Sequence, residues 1–195
     1  MQKKQLSRSP ELMSAVDTAL LLIDVQQKLI PVINHRDVIV WNIRRLLDAA
    51  RILDVKILST EQNPLRLGQT IDALAERIDQ PAIEKMNFSS AASELLIEQL
   101  QAKHLSKVLI CGIETHVCVQ QTALDLITAG FQVFVAVDAV GSRNDSDHEH
   151  AISRLRASSV TITTTEAVIF EWCERADRPE FKAVSSLVKE SKPVS

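Results

Sequence analysis

Residues Thr18–Ile23 read TALLLI, and Asp24 ends this apolar run. An apolar stretch of this length predicts a β-strand that is buried on both faces, as in parallel sheets covered by helices. Similar runs farther along the chain predict strands at 55–59, 107–111, 132–137 and 160–162, with a short candidate at 81–84. The sequence therefore predicts a sheet of six strands.

Amphipathic segments separate the predicted strands. In segment 37–53, apolar residues recur at helical spacing and charged residues occupy the other positions. Similar patterns predict helices at 70–78, 90–103, 117–129 and 148–157, and Gly130 stands where the third of these would end in a left-handed residue. Because strands and helices alternate, we predict an α/β fold, a three-layer αβα sandwich with helices on both faces of a mostly parallel, Rossmann-like sheet.

The length and composition indicate a single domain. The chain has 195 residues and 46% of them are hydrophobic, enough for one sizeable core, so we expect residues 1–195 to form one domain. Residues 1–14 are expected to be flexible. Residues 178–195 are expected to form a terminal helix that packs on the domain or on a neighbouring subunit, followed by a frayed tail.

The charge pattern argues against two classes of partner. The formal net charge is -3, and acidic and basic residues are interleaved, so no basic stripe is available to nucleic acid or to anionic lipid. No stretch reaches the roughly 18 apolar residues that a membrane span needs, and the N-terminal segment lacks an apolar centre. We therefore expect a soluble, cytoplasmic protein that binds a small molecule.

Three residues that follow predicted strands have the chemistry of a nucleophilic site. Ligands of open parallel sheets bind beyond the carboxyl ends of the strands, near the point where the strand order reverses. Asp24 closes the first strand, Lys85 follows the short strand at 81–84, and Cys118 lies past the strand at 107–111, near a helix start. A helix N-terminus and an ammonium group lower the pKa of a thiol, and a partly desolvated carboxylate can take its proton.

Each of these residues also has a structural interpretation. A free cysteine is usually a small, buried hydrophobic residue. Asp24 could be the N-cap of a helix, and Lys85 could be an ordinary surface lysine in a polar loop. The other cysteines, Cys111 in an apolar strand and Cys173 in a late helix, are expected to serve packing. An odd number of cysteines without a CxxC pair argues against both disulfides and a zinc site.

Two further patterns predict neither a metal nor a cofactor. His148, Glu149 and His150 are consecutive, but helical positions two apart face nearly opposite sides, so a charged, solvated helix start is the favoured interpretation. The chain has four glycines, and none forms a GxGxxG or Walker loop. We expect no cofactor.

Four segments carry a resemblance to a known family. They are LLLIDVQQKL around Asp24, STEQNPLRLG at 59–68, EKMNFS around Lys85 and CGIETHVCVQQTALDL around Cys118. In order and spacing they resemble the isochorismatase-like cysteine hydrolases from Thr18 to about Phe181. Within that superfamily the chain is most similar to the isochorismatase domain-containing proteins, which share the Ser-Arg pair found here at 142–143.

The resemblance implies a catalytic site and a mechanism. It implies an Asp–Lys–Cys triad at Asp24, Lys85 and Cys118 and a covalent thioester-type intermediate. It also implies a non-proline cis peptide between Ile113 and Glu114, and an oxyanion hole made by the backbone N–H groups of Glu114 and Cys118. Resemblance and adjacency together give these substrate-binding candidates: Gln26, Gln62, Asn63, Phe88, Thr115 and His116. Phe88 has an equal claim to a place in the core.

Two departures from related families narrow the expected activity. Family members that cleave isochorismate lack the cysteine, which favours hydrolysis of a small amide or carbamoyl substrate here. Nicotinamidases resemble the chain but carry a DxH metal motif where this sequence has Glu61, Gln62 and Asn63, so no metal is expected.

The sequence is also compatible with two other functions and with a homo-oligomeric assembly. The alternatives to hydrolysis are a non-catalytic interaction or regulatory protein that keeps the fold, and a redox-sensitive thiol. The resemblance also implies a homo-oligomer, for which exposed apolar residues of the terminal segment, Val184, Leu187 and Val188, are candidate contacts.

Overall fold

The computed structural model describes residues 8–102 and 105–193, and its centre is a parallel sheet. The strands are β1 (Thr18–Ile23), β2 (Lys56–Gln62), β3 (Ile83–Lys85), β4 (Lys107–Ile113), β5 (Gln132–Gly141) and β6 (Thr161–Thr163). Their order is β3-β2-β1-β4-β5-β6, and every neighbouring pair is parallel. This is the Rossmann order, and it reverses between β1 and β4, so a ligand crevice is expected beyond the carboxyl ends of these two strands.

The central strand is buried on both faces, as its apolar run predicts. All six residues of β1 are buried. Leu20 and Leu22 belong to the hydrophobic cluster on one face of the sheet, and Leu21 and Ile23 belong to the cluster on the other. Successive strand residues face opposite sides, so a continuous apolar run supplies both cores at once.

Helices cover both faces of the sheet. They are α1 (Arg36–Leu53), α2 (Pro64–Leu67), α3 (Asp72–Ala75), α4 (Glu94–Ala102), α5 (Gln120–Thr128), α6 (Asp145–Ala157), α7 (Thr165–Cys173) and α8 (Phe181–Val188). α1, α7 and α8 contribute Leu46, Trp172 and Val184 to one core, whereas α4, α5 and α6 contribute Leu96, Leu126 and Leu155 to the other. The predicted three-layer α/β fold is confirmed. Within the described residues, no helix is both long enough and apolar enough to cross a bilayer.

Several predicted boundaries differ from those of the structure. The helix predicted at 70–78 is shorter in the structure, where only α3, Asp72–Ala75, is helical. A further short helix, α2, was not predicted; it begins at Pro64 and ends before Gly68, which has a φ of +78°. The helix predicted at 90–103 begins with a separate 3-10 turn, Ser90–Ala92, and residue 103 lies outside the described residues.

Two segments near the chain ends, the one that contains Met13 and helix α8, pack against the domain. Met13, in the segment expected to be flexible, is fully buried, and its N–H donates to the Glu171 carboxylate at 2.9 Å. Residues 1–7 and 194–195 lie outside the described residues. In α8, Val184 and Leu187 are buried against α1 and α7 of their own domain, so the expectation that they are exposed oligomer contacts is wrong.

The packing of α8 gives a first testable prediction. The variant Leu187→Ala is expected to lower the free energy of unfolding by about 2 kcal/mol, because it leaves a cavity under α8. Urea unfolding at two protein concentrations measures this loss, which should be the same at both because the contact lies within one chain. Ser186→Ala, at the exposed neighbouring position, is the control and should change little. A loss that disappears on dilution would contradict the intrachain packing.

Candidate active site

Asp24 stands at the carboxyl end of β1 in a fully buried position. Its φ is +53°, a left-handed conformation that turns the chain out of the strand. Thr60 Oγ1 donates to Oδ1 at 2.8 Å, and Lys85 Nζ donates to Oδ2 at 2.6 Å. Both carboxylate oxygens therefore have a donor, as a carboxylate with 0% exposure requires.

Lys85 ends β3 and is enclosed by acceptors. Besides Asp24, its ammonium donates to Gln62 Oε1 at 3.0 Å and to the carbonyl oxygens of Asn87 and Phe88 at 3.3 and 3.0 Å. The residue is 7% exposed, so the interpretation as an ordinary surface lysine is wrong. A strand end and the loop after it thus hold the ammonium against the carboxylate.

Cys118 lies in a π-helical turn, Thr115–Val119, between β4 and α5. Its thiol lies close enough to the Asp24 carboxylate and the Lys85 ammonium for both charges to act on the pKa of the thiol. The pKa of the thiol is raised to about 12: burial is the largest cause, the charge of Asp24 raises the pKa as well, and Lys85 lowers it. The sequence-based expectation of a lowered pKa is therefore wrong, because desolvation and the carboxylate outweigh the ammonium. At neutral pH the resting group is a thiol.

This pKa predicts how Cys118 reacts with iodoacetamide. Only the thiolate is alkylated, and its fraction rises about tenfold per pH unit below the pKa. Labelling should therefore be slower than that of free cysteine at pH 7 and should still increase in alkaline buffer. Removing the Lys85 ammonium with Lys85→Met should slow labelling further. Peptide mass spectrometry measures the rate, and fast labelling that levels off near neutral pH would contradict the raised pKa.

The remaining cysteines lie outside this cluster. Cys111, within β4, is 0% exposed, and burial raises the pKa of its thiol as well. Cys173, at the end of α7, is 1% exposed. Both serve the core, and in labelling experiments they are internal references for unreactive thiols.

The segment after β4 lies next to the crevice. The peptide between Ile113 and Glu114 is cis. Gly112, just before it, has a φ of +121°, and a Cβ there would lie 2.1 Å from the backbone oxygen of Ile23. Only glycine allows this approach. The ends of β1 and β4 are thereby brought together, with Asp24 following one strand and the Cys118 turn following the other.

Two of the substrate-binding candidates hold the site together through their amides. Gln26 donates to the carbonyl oxygens of Gln62 and Gly68 at 3.0 and 2.6 Å, and its Oε1 accepts from the Gln62 N–H at 2.8 Å. The Gln62 amide accepts from Lys85 and donates to the Met86 carbonyl at 2.8 Å. The amide groups of both side chains therefore form hydrogen bonds within the protein itself.

The other candidates occupy different positions around the cluster. Asn63 has a left-handed φ of +38° and is the N-cap residue before α2, and its N–H donates to the Lys85 carbonyl at 2.9 Å. Phe88 is 53% exposed, so its interpretation as a core residue is wrong. Thr115 Oγ1 lies 3.0 Å from His148 Nδ1, and His116 Nδ1 lies 3.0 Å from Ser142 Oγ.

His148 makes a contact that the sequence does not predict. The sequence pattern indicates a solvated helix start, but the residue is half-buried, and burial lowers the pKa of its imidazole. Its partner Thr115 lies 33 positions away, so no local pattern indicates the contact.

Comparisons with known proteins identify the family of the chain. The isochorismatase domain family matches residues 18–167. Isochorismatase domain-containing protein 2 of Bos taurus is 42% identical over 177 residues, which cover 90% of this chain and 85% of that protein. The structure of MAR1 ribonuclease from Caenorhabditis elegans has a TM-score of 0.87 at 36% identity, covering 94% of this chain and 95% of that one.

A more distant structure shares the fold. The YcaC gene product of Escherichia coli, described as an octameric hydrolase of unknown specificity, has a TM-score of 0.85 at 24% identity, covering 93% of this chain and 92% of that one. The family match spans most of the chain, and the relatives are similar over nearly their whole length. The chain therefore belongs to the isochorismatase family and has the fold of the isochorismatase-like hydrolases.

Proposed function

We propose that this protein is a cysteine hydrolase of small amide or carbamoyl compounds, with Cys118 as nucleophile and Asp24 and Lys85 as its charged partners. One observation carries the proposal: a thiol, a carboxylate and an ammonium group meet at one buried point. These groups come from the ends of β1 and β3 and from the turn after β4. A buried ion pair beside a thiol is costly to maintain for packing alone.

In the proposed reaction, Sγ of Cys118 attacks the substrate carbonyl carbon while Asp24 takes the thiol proton. A C–S bond forms, and the negative carbonyl oxygen accepts hydrogen bonds from the backbone N–H groups of Glu114 and Cys118. Asp24 returns the proton to the leaving nitrogen, the C–N bond breaks, and a thioester remains. Water then attacks the thioester, Asp24 takes its proton, and cleavage of the C–S bond restores the thiol.

The raised pKa of the thiol specifies when its proton moves. With a pKa of about 12, Cys118 does not ionise before substrate arrives. The base must therefore act during the attack, and the Asp24 carboxylate lies close enough to the thiol to raise its pKa. Lys85, 2.6 Å from Asp24, holds the carboxylate in place and stabilises the sulfur as its charge develops.

An acyl-transfer assay tests the proposed function. The probe is 4-nitrophenyl acetate, and the readouts are nitrophenolate release and the peptide that carries the acetyl group. Acetylation at Cys118 that is absent in Cys118→Ala supports the proposal and justifies a screen of small amides and carbamoyl compounds for ammonia release. If Cys118 is not acetylated in the wild type, the non-catalytic interaction protein becomes the better interpretation.

A second assay uses single-stranded RNA as the substrate, because the Caenorhabditis elegans relative is named a ribonuclease. Cleavage of a phosphodiester requires no thioester, so it should not depend on Cys118 as an acyl carrier. RNA cleavage that survives in Cys118→Ala would show a second activity that does not use this thiol, whereas RNA cleavage that is lost in Cys118→Ala would contradict the assignment of Cys118 to acyl transfer alone.

The proposed reaction uses no metal. Glu61, at the position of the nicotinamidase metal motif, accepts hydrogen bonds at Oε1 from the N–H and Oγ1 of Thr70 at 2.6 and 2.8 Å. The Glu61 carboxylate therefore already binds the loop between α2 and α3 through Oε1. Dialysis against EDTA is expected to leave the rate of Cys118 acetylation and of its hydrolysis unchanged. A loss that added Zn²⁺ restores would overturn this prediction.

A further inference from the structure

Three consecutive residues after β4 are tied through their side chains to one segment of the chain. Glu114 Oε2 accepts hydrogen bonds from the backbone N–H and the Nε of Arg143 at 3.0 and 3.2 Å. Thr115 contacts His148, and His116 contacts Ser142, each at 3.0 Å. We call residues 142–148 the clamp segment. It runs from the end of β5 into the first turn of α6.

The contacts of Thr115 and His116 are partly shielded from water, whereas those between Glu114 and Arg143 are exposed on the Arg143 side. Thr115 and Ser142 are 0% and 1% exposed, and the Glu114 side chain is 13% exposed. Burial also lowers the pKa of His148, so its imidazole is neutral near pH 7 and pairs with Thr115 as one donor or one acceptor. Hydrogen bonds in such surroundings hold their partners more firmly than exposed ones do.

The clamped residues lie within the stretch of chain that would stabilise the oxyanion. Glu114 and Cys118 carry the backbone N–H groups assigned to the oxyanion hole, and Thr115 and His116 lie between them. Such donors work only when they are held to within a fraction of an ångström of the position that the charge will occupy. The hydrogen bonds of the clamp segment do not involve the side chains of Asp24, Lys85 and Cys118.

We propose that the clamp segment holds the oxyanion hole in place, with Ser142, Arg143 and His148 as positioning residues that act through Glu114, Thr115 and His116. The inference rests on the proposed function, because it assigns a role within that reaction. It predicts that the rate of acylation and the rate of alkylation of Cys118 respond differently to loss of a clamp contact. Loss of a clamp contact should slow acyl transfer, because this reaction needs the oxyanion hole. The rate of alkylation by iodoacetamide should not change, because alkylation forms no oxyanion.

The test compares acetylation of Cys118 by 4-nitrophenyl acetate with its labelling by iodoacetamide in matched variants. His148→Ala and Glu114→Ala are each expected to slow acetylation about 10- to 100-fold, since each disturbs an oxyanion donor without removing it. Labelling should stay at the wild-type rate. Arg143→Ala should have a smaller effect, because the backbone N–H of residue 143 still reaches Glu114.

Two further variants separate positioning from general packing. His148→Asn places an amide atom near the position of Nδ1 and should recover most of the acetylation rate. His150→Ala is the control: the residue is exposed on the same helix, and its Nδ1 contacts the backbone carbonyl of Ser146 at 2.7 Å. Its acetylation rate should equal that of the wild type.

The outcomes distinguish the two proposals. If the wild type is not acetylated at Cys118, the proposed function fails before any variant is compared. If the wild type is acetylated and both His148→Ala and Glu114→Ala match it, the clamp proposal fails and the function stands. A parallel loss of acetylation and labelling in these variants also overturns the clamp, because the contacts would then support the nucleophile turn as a whole.

Discussion

The variant Asp24→Asn is expected to lose hydrolytic turnover by roughly 10³–10⁴-fold, while its Cys118 thiol reacts faster with iodoacetamide than in the wild type. Both effects follow from the same carboxylate. Its negative charge raises the pKa of Cys118, so removing the charge lowers that pKa and increases the thiolate fraction. The amide cannot accept a proton from the thiol or from water, so the chemical steps lose their base.

Opposite changes in the two rates are difficult to obtain from damage to the fold. The matched control is Asp17→Asn, which breaks the ion pair between Asp17 Oδ2 and Lys107 Nζ, 2.7 Å apart, at the other end of β1 and β4. This control should retain both rates. Stopped-flow acylation and peptide mass spectrometry measure them. If Asp24→Asn turned over substrate normally, Asp24 would not be the base.

The fold was predictable because its information is local. The run TALLLI contains residues for both faces of β1, and the alternation of such runs with amphipathic segments restricts the topology to a doubly covered parallel sheet. The position of the crevice follows from the strand order. The errors concern helix boundaries: the helix predicted at 70–78 is confined to Asp72–Ala75, and a separate 3-10 turn occupies the start of the helix predicted at 90–103.

The sequence predicts which residues form the candidate site but not the pKa of its thiol. Asp24 and Lys85 stand at strand ends, Cys118 lies in the turn after β4, and the resemblance groups the three. The pKa of the thiol, however, depends on how much water the finished fold removes from it. Sequence position suggested an ammonium beside a helix start and hence a lowered pKa. Packing instead leaves Cys118 6% exposed beside a carboxylate, and these two effects reverse the direction.

Contacts between distant segments were the other gap. His148 meets Thr115 across 33 positions, and Val184 meets the face of α1 and α7 rather than solvent. An apolar pattern on a terminal helix shows that one face will be covered, but the pattern is the same whether the cover is the same chain or another one. Only the packed structure separates these two cases.

The second large effect is expected at the buried ion pair itself. The side chains of Lys85 and Asp24 are 4% and 0% exposed, and 2.6 Å separates Nζ from Oδ2. Lys85→Met should lower the free energy of unfolding by about 3–5 kcal/mol, because it leaves the Asp24 carboxylate buried without its cation. Thr60 would remain as a donor to Oδ1, which is too little for a full charge away from water.

The double variant Asp24→Asn/Lys85→Met isolates the charge from the packing. Because it removes both charges, it should be more stable than Lys85→Met alone, a result that independent losses cannot produce. Lys107→Met is the control for removal of a lysine, and it should cost less because its partner Asp17 is 31% exposed and can be solvated. Urea unfolding of the four proteins and the wild type measures the coupling. If the losses of Asp24→Asn and Lys85→Met simply add, the pair does not hold the site together, and Lys85 would then act on Cys118 alone.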